Sequence, residues 1–203
     1  IVNRGQDLSG ELYLELAVVS ADGGEVRRVI ETANRGTNRR MPRPRWSGDG
    51  QRLLYHENRG DTTMLSSVKL DGTDRRTLVR NRRAEEMIAS PDGRWVAIKE
   101  LHNVYVAPLP QAGGDGVTLE RSGSGVRVAQ LSRYGGDWID WRPDSRSLTW
   151  VLGPAFYQQV VADAYLPDSL ARRDTTHTGW MYDNAKVRAQ VAEVALRVPR
   201  ARP

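Results

Sequence analysis

Cysteine is absent, so the chain can hold neither a disulfide framework nor a thiolate metal site. That absence alone does not separate an oxidising compartment from a reducing one. Histidine is scarce. His56, His102 and His177 stand far apart, and none lies in an H-x-H or H-E-x-x-H setting, which excludes a zinc signature within the chain. No apolar run approaches the length of a membrane span, and no signal peptide is visible. The opening Ile1-Val2-Asn3-Arg4 lacks methionine, which leads us to expect a processed or excised segment. Gly123-Ser124-Gly125 is a turn and not the G-x-S-x-G of a nucleophile elbow. A long basic run is missing too. The net charge of +5 comes from arginines scattered in pairs, such as Arg27-Arg28 and Arg82-Arg83, among 25 acidic residues. With the aromatics at strand positions and not interleaved among the arginines, this pattern reads as a solvated surface without a specific nucleic-acid partner.

What is present is a repeated turn. In the stretch from Glu85 to Leu109, Ser90-Pro91-Asp92-Gly93 separates two extended runs, with Pro91 suited to the first corner of a tight turn and Gly93 to the position needing positive φ. A hairpin is expected there. Trp46-Ser47-Gly48-Asp49-Gly50 before Arg52 to Tyr55, and Trp141-Arg142-Pro143-Asp144-Ser145 before Ser147 to Trp150, repeat the arrangement. The aspartates are 43 and 52 residues apart, a period that belongs to propeller blades and not to helical repeats. Aligned on them, Leu53, Val96 and Leu148 share one register, and Tyr55, Ile98 and Trp150 another. The alignment places Trp46 and Trp141 at equivalent, mostly buried positions, with Ala89 as the third member. Asp49, Asp92 and Asp144 are therefore one turn position repeated in separate blades, not a catalytic carboxylate set.

The fold class expected is all-β, a propeller segment of about three full four-stranded blades plus a partial first blade. Residues 1–10 read as a loop or frayed end, and 11–31 as the last two strands of a blade. Full blades fall near 43–80, 85–131 and 137–163. The outer strand of the second full blade is either 117–119 or 126–131, the latter preferred. Residues 164–184 read as a long loop or lid. Beyond them Val187, Val191, Val194 and Val198 suit a helix face, whereas Val194, Leu196 and Val198 alternate as a strand does. An open first blade leaves an unpaired edge that invites association, including between copies of the chain.

S-P-D-G followed by a short apolar strand, a second strand at Val104-Tyr105-Val106 and a Gly-rich turn resembles the repeat of TolB-like β-propellers, over roughly residues 10–163. Gly48 stands where that repeat usually has proline, and Ser145 where it has glycine. A narrower resemblance lies in E-L-H-N-V-Y-V-A-P-L at 100–109, L-S-R-Y-G-G-D-W-I-D-W at 131–141 and V-A-L-R-V-P-R-A-R-P at the C-terminus. These are similar to the propeller preceding the catalytic domain in exported bacterial amidohydrolases, and the resemblance favours a strand in the last stretch, leading out of the propeller. It implies a non-catalytic scaffold and interaction segment, periplasmic or secreted. The segment itself would hold no cofactor, and a divalent metal such as zinc would sit in the parent's catalytic domain. Its partners would be that domain and the remaining blades. Substrates of the parent would be C–N compounds such as peptides or cyclic amides. The alternative is a free-standing periplasmic TolB-like protein-binding propeller, and a third reading is polyanion or nucleic-acid binding through the arginines.

No catalytic, cofactor-binding or metal-ligating residue is assigned within the chain. Glu100, His102 and Asn103 concentrate a carboxylate, an imidazole and an amide in one connection between strands, and Tyr134 and Asp137 lie in the loop entering the last blade. These five form the candidate interface loop. Its competing reading is a surface loop whose side chains cap backbone groups.

Overall fold

The three repeated turns share one geometry. Backbone hydrogen bonds run from Gly50 N to Ser47 O, from Gly93 N to Ser90 O and from Ser145 N to Arg142 O, at 2.8, 2.9 and 3.0 Å. In each, the aspartate Oδ1 accepts the amide two residues on, at 3.0 Å from Gln51 and Arg94 and 2.9 Å from Arg146. The corner residue has φ of 68° at Gly50, 69° at Gly93 and 59° at Ser145, so serine occupies the left-handed position in the third turn. Its hydroxyl has a further use: Ser145 Oγ accepts the Asp92 amide at 3.0 Å, joining successive turns.

Strands follow from these turns. The computed structural model describes residues 2–6, 12–32, 41–110, 116–121, 125–165 and 192–193. The first sheet is β1 (Val2–Gln6), β2 (Leu12–Val18) and β3 (Arg27–Glu31), antiparallel in that order. The second is β4 (Arg45–Trp46), β5 (Arg52–Arg59), β6 (Thr62–Lys69) and β7 (Arg76–Asn81). The third is β8 (Ala84–Ala89), β9 (Trp95–Glu100) and β10 (Asn103–Pro108). After β11 (Val117–Thr118), β12 (Ala129–Gln130) completes it. The fourth is β13 (Asp137–Trp141), β14 (Ser147–Leu152), β15 (Ala155–Val160) and β16 (Ala192–Glu193). Strand β11 adds parallel to β7, giving the second sheet a fifth strand, so of the two candidates for the third sheet's outer strand it is the later one that pairs there.

Both faces of the third sheet are covered, which explains why its strands read as continuous apolar runs. Val96 and Ile98 of β9, with Tyr105 and Ala107 of β10, pack toward Leu54, Leu65 and Val79 of the second sheet. Ala97, Val104 and Val106 point the other way, against Ile139, Trp141, Leu148 and Trp150 of the fourth. A third cluster joins Leu16 and Val29 of the first sheet to Leu53, Tyr55 and Val68 of the second. The core is thus a series of layers between successive sheets, each fully buried aliphatic or aromatic side chain contributing about 1.5–3 kcal/mol.

Two expectations need correction. Val2–Gln6 is a strand paired with β2 and not a loop, so the first sheet has three described strands instead of two. Trp46 and Trp141 do share a register, opposite Leu53 and Leu148, as Ala89 is opposite Val96. Their burial differs: Trp141 is 8% exposed and Trp46 53%. Trp141 lies under the first strand of the preceding sheet, its Nε1–H donating to Ile88 O at 3.0 Å. The sheet preceding Trp46 has no described strand in that place. A short 3-10 helix, Val161–Tyr165, ends the stretch expected as the last blade and takes in the first two residues of the expected long loop, while residues 166–184 lie outside the described residues.

Candidate functional site: the converging inner edges

The first strands of the second, third and fourth sheets are edge strands, yet their side chains meet. Arg43, just before β4, pairs with Glu86 of β8 and lies 3.7 Å from Asp140 Oδ2 of β13. Arg45 of β4 donates to Asp140 Oδ1 at 2.5 Å. One aspartate therefore takes two guanidinium groups from a sheet two places away. Such contacts require the three edges to converge on a common axis, and they make this line the inner wall of the array.

At the end of that wall near the β9–β10 turn, Lys99 reaches Glu85 of β8 at 3.4 Å and pairs with Asp137 of β13. Burial works against the charge on Lys99, but Asp137 and Glu85 outweigh it and hold the ammonium above its ordinary pKa. The backbone here is unusual. Leu101 and His102, the two central residues of the β9–β10 turn, have φ of 45° and 76°, as a two-residue hairpin of this hand demands. Asparagine and glycine usually supply those angles. The His102 carbonyl accepts the Gly136 amide at 2.8 Å, which clips the segment entering β13 onto this turn.

Immediately afterwards the β13–β14 register shifts between Asp137 and Asp140, and Trp138 takes φ of 55°. A bulge re-aims side chains. Ile139 and Trp141 stay buried while Trp138 is turned out, 79% exposed, and Tyr134 is 75% exposed beneath the Arg133 guanidinium. An aromatic at positive φ is a costly arrangement, and Arg43, with φ of 46°, is another on the same wall.

The five residues of the candidate interface loop are thereby divided. His102, Tyr134 and Asp137 are exposed at the rim. Glu100 is 3% exposed and turned inward, paired with Arg121 Nε at 3.1 Å and accepting from Asn81 Nδ2 at 3.2 Å. Its place is the seam between the second and third sheets, not an interface loop. Asn103 is half-buried, its Oδ1 accepting from Ser132 Oγ at 3.2 Å. Arg43, Arg45, Glu86, Trp138 and Asp140 were not singled out in the sequence. A signal existed in the last of these strands, where Trp138 and Asp140 alternate with the buried Ile139 and Trp141. Arg43 and Arg45 precede one repeated turn, and Trp138 and Asp140 precede another.

Chemically, the wall offers guanidinium and carboxylate groups paired with one another. Arg45 and Asp140 are partly exposed, so an incoming carboxylate or guanidinium can exchange with either. Among the described residues no cluster of three or more His, Asp or Glu is placed to hold a metal ion.

Antiparallel sheets filled outward from converging inner edges and packed face to face are the architecture of a β-propeller. No protein-family model and no curated protein matches the sequence. Among solved structures the chain is similar to an oligogalacturonate lyase in complex with manganese, at 16% identity and TM-score 0.47, over 77% of this chain and 42% of that one. It is similar to TolB from Acinetobacter baumannii at 12% identity and TM-score 0.40, over 73% and 46%. The β-propeller domain of the trilobed protease from Pyrococcus furiosus has 19% identity and TM-score 0.39, over 59% and 38%. The chain spans less than half the length of each of the three.

Proposed function

We propose that this chain is a non-catalytic propeller segment of a larger exported metal-dependent amidohydrolase, and that its inner-wall rim is what it presents to the catalytic domain. The observation that carries the interaction role is the rim. Trp138, Tyr134 and Leu101 are exposed there on backbone held at positive φ or clipped by hydrogen bonds, beside ion pairs that can exchange partners. Large exposed aromatics on an ordered support mark contact surfaces more than scattered surface residues do. The amidohydrolase context rests on the sequence resemblance at 100–109, 131–141 and the C-terminus. In this reading the divalent metal belongs to the catalytic domain, which cleaves peptides or cyclic amides, and the location is periplasmic or secreted. Among the described residues no helix is long and apolar enough to cross a membrane.

The test is to express the full reading frame and residues 1–203 side by side, measuring metal content and turnover of dipeptides and cyclic amides. The expected result is metal and turnover in the full protein and none in the segment. Trp138→Ala with Tyr134→Ala should loosen the two parts, read as faster proteolysis between them. A reading frame without a hydrolase domain would sink this proposal in favour of a free-standing TolB-like binding propeller.

A further inference from the structure

The exposed Trp46 lies in a groove between the first and second sheets, with Val18, Val19, Val26 and Leu70 as its apolar wall and Ser20, Glu25, Arg27 and Arg28 as its polar one. Val19 and Val26 are 55% and 59% exposed, a large share for valines flanking a sheet interface. The repeat shows what fills the equivalent place. At the junction of the third and fourth sheets, β8 lies over Trp141, its Ile88 side chain in the shared core and its Ile88 carbonyl accepting the indole N–H. In the first sheet, β1 occupies the position of β9 and β2 that of β10, and among the described residues nothing pairs with the other edge of β1.

We propose that an extended strand of the same larger protein adds beside β1, antiparallel, as the innermost strand of the first sheet, and places an aliphatic side chain over Trp46. This rests on the reading of the chain as part of a larger protein. It specifies a different surface from the rim. Chain order argues for a strand of the same polypeptide. The other three sheets are entered at the inner edge, and their first three strands run outward in chain order, β4–β6, β8–β10 and β13–β15; β1, β2 and β3 also run outward in chain order, so the strand belonging beside β1 is one that precedes it. The chemistry is strand addition. Main-chain hydrogen bonds to the edge of β1 that no described strand pairs supply affinity, and Trp46 with the apolar wall of the groove selects the side chain. Continuity with the inter-sheet cores sets its character, a segment with apolar side chains on both faces like Met87–Ala89.

The probe is a synthetic peptide with the sequence of residues 84–92, the strand that covers Trp141. Added to the 1–203 chain, it should slow hydrogen exchange at the amides of Val2–Gln6. Trp46→Arg in the chain, or Ile88→Asp in the peptide, should each weaken binding about tenfold or more. Val26→Arg, on the opposite wall, serves as a second variant if Trp46→Arg fails to fold. The full-length protein should show these amides already protected and should not take up the peptide. Absence of protection at Val2–Gln6, or binding indifferent to both wall variants, would overturn the groove as a strand acceptor. Uptake by the full-length protein equal to that of the 1–203 chain would show that the strand is not its own. A full-length protein with protected amides but no amidohydrolase activity would keep this inference and discard only the catalytic context.

Discussion

Trp141 and Trp46 have the same place in the repeated turn and the same register, so the difference in what they contribute is a difference in surroundings. Trp141→Ala removes a buried indole and its bond to Ile88, and should lower the unfolding free energy by about 3–5 kcal/mol. Trp46→Ala, at a half-exposed indole, should change it by about 1 kcal/mol or less. Denaturant unfolding of the two variants measures both, and equal costs would remove the account of Trp46 as a residue awaiting a cover. Asp74 gives a residue-scale test in pH. Hydrogen bonds from Arg76 and Arg52 outweigh burial and bring its carboxyl down to about 2 from an ordinary 3.8. Because the folded pKa is the lower one, the stabilisation is complete above about 3.8 and is lost as pH falls toward 2. Asp74→Asn should remove that part of the acid dependence, and a carboxyl resonance titrating near 3.8 instead of 2 in the folded protein would contradict the assignment.

The β9–β10 hairpin makes the corresponding point for an element. Its turn works by geometry, yet Leu101 and His102 are poor residues for left-handed φ, a conformation costing roughly 1–2 kcal/mol at a residue with a side chain. The double substitution Leu101→Asn with His102→Gly should therefore raise stability by about 1–2 kcal/mol, read as a higher midpoint in thermal or denaturant unfolding. A rise accompanied by weaker association with the parent protein would mean that the side chains are retained for contact. No rise would mean that the rest of the rim, through the Gly136 bond to the His102 carbonyl, sets the turn regardless of sequence.

At the level of the whole molecule, stability depends on how successive sheets seat on one another. Gly72 illustrates this, since a Cβ there would lie 2.4 Å from the Val29 carbonyl of the first sheet. Gly50 has a similar positive φ but open space around it. Gly50→Ala should cost about 1–2 kcal/mol from backbone strain alone, whereas Gly72→Ala adds a backbone clash between the first two sheets. It should cost about 2 kcal/mol or more and selectively raise hydrogen exchange in β1 to β3. Uniform exchange across all four sheets would show that the array unfolds as one unit. The Arg45–Asp140 contact spans the same scale, but both side chains are partly exposed, so it sets geometry more than stability, at about 0–1 kcal/mol.

The sequence by itself determined the turns, the register and the all-β class. An aspartate bonding its own turn, a residue able to hold positive φ and apolar alternation act over a few residues, and the chain around Asp92 carries all three. It also placed His102 in one strand connection and Tyr134 and Asp137 in another, but the bond from the Gly136 amide to the His102 carbonyl that joins the two is tertiary. Only the tertiary structure decided which of the two equivalent tryptophans is covered and that Glu100 faces inward to Arg121. It also decided that β11 joins the second sheet and that Arg43, Arg45, Glu86 and Asp140 meet. Those outcomes depend on what an adjacent sheet presents. Arg45 and Asp140 are 95 residues apart in the chain, and nothing local to either encodes the convergence of edges that brings them within 2.5 Å.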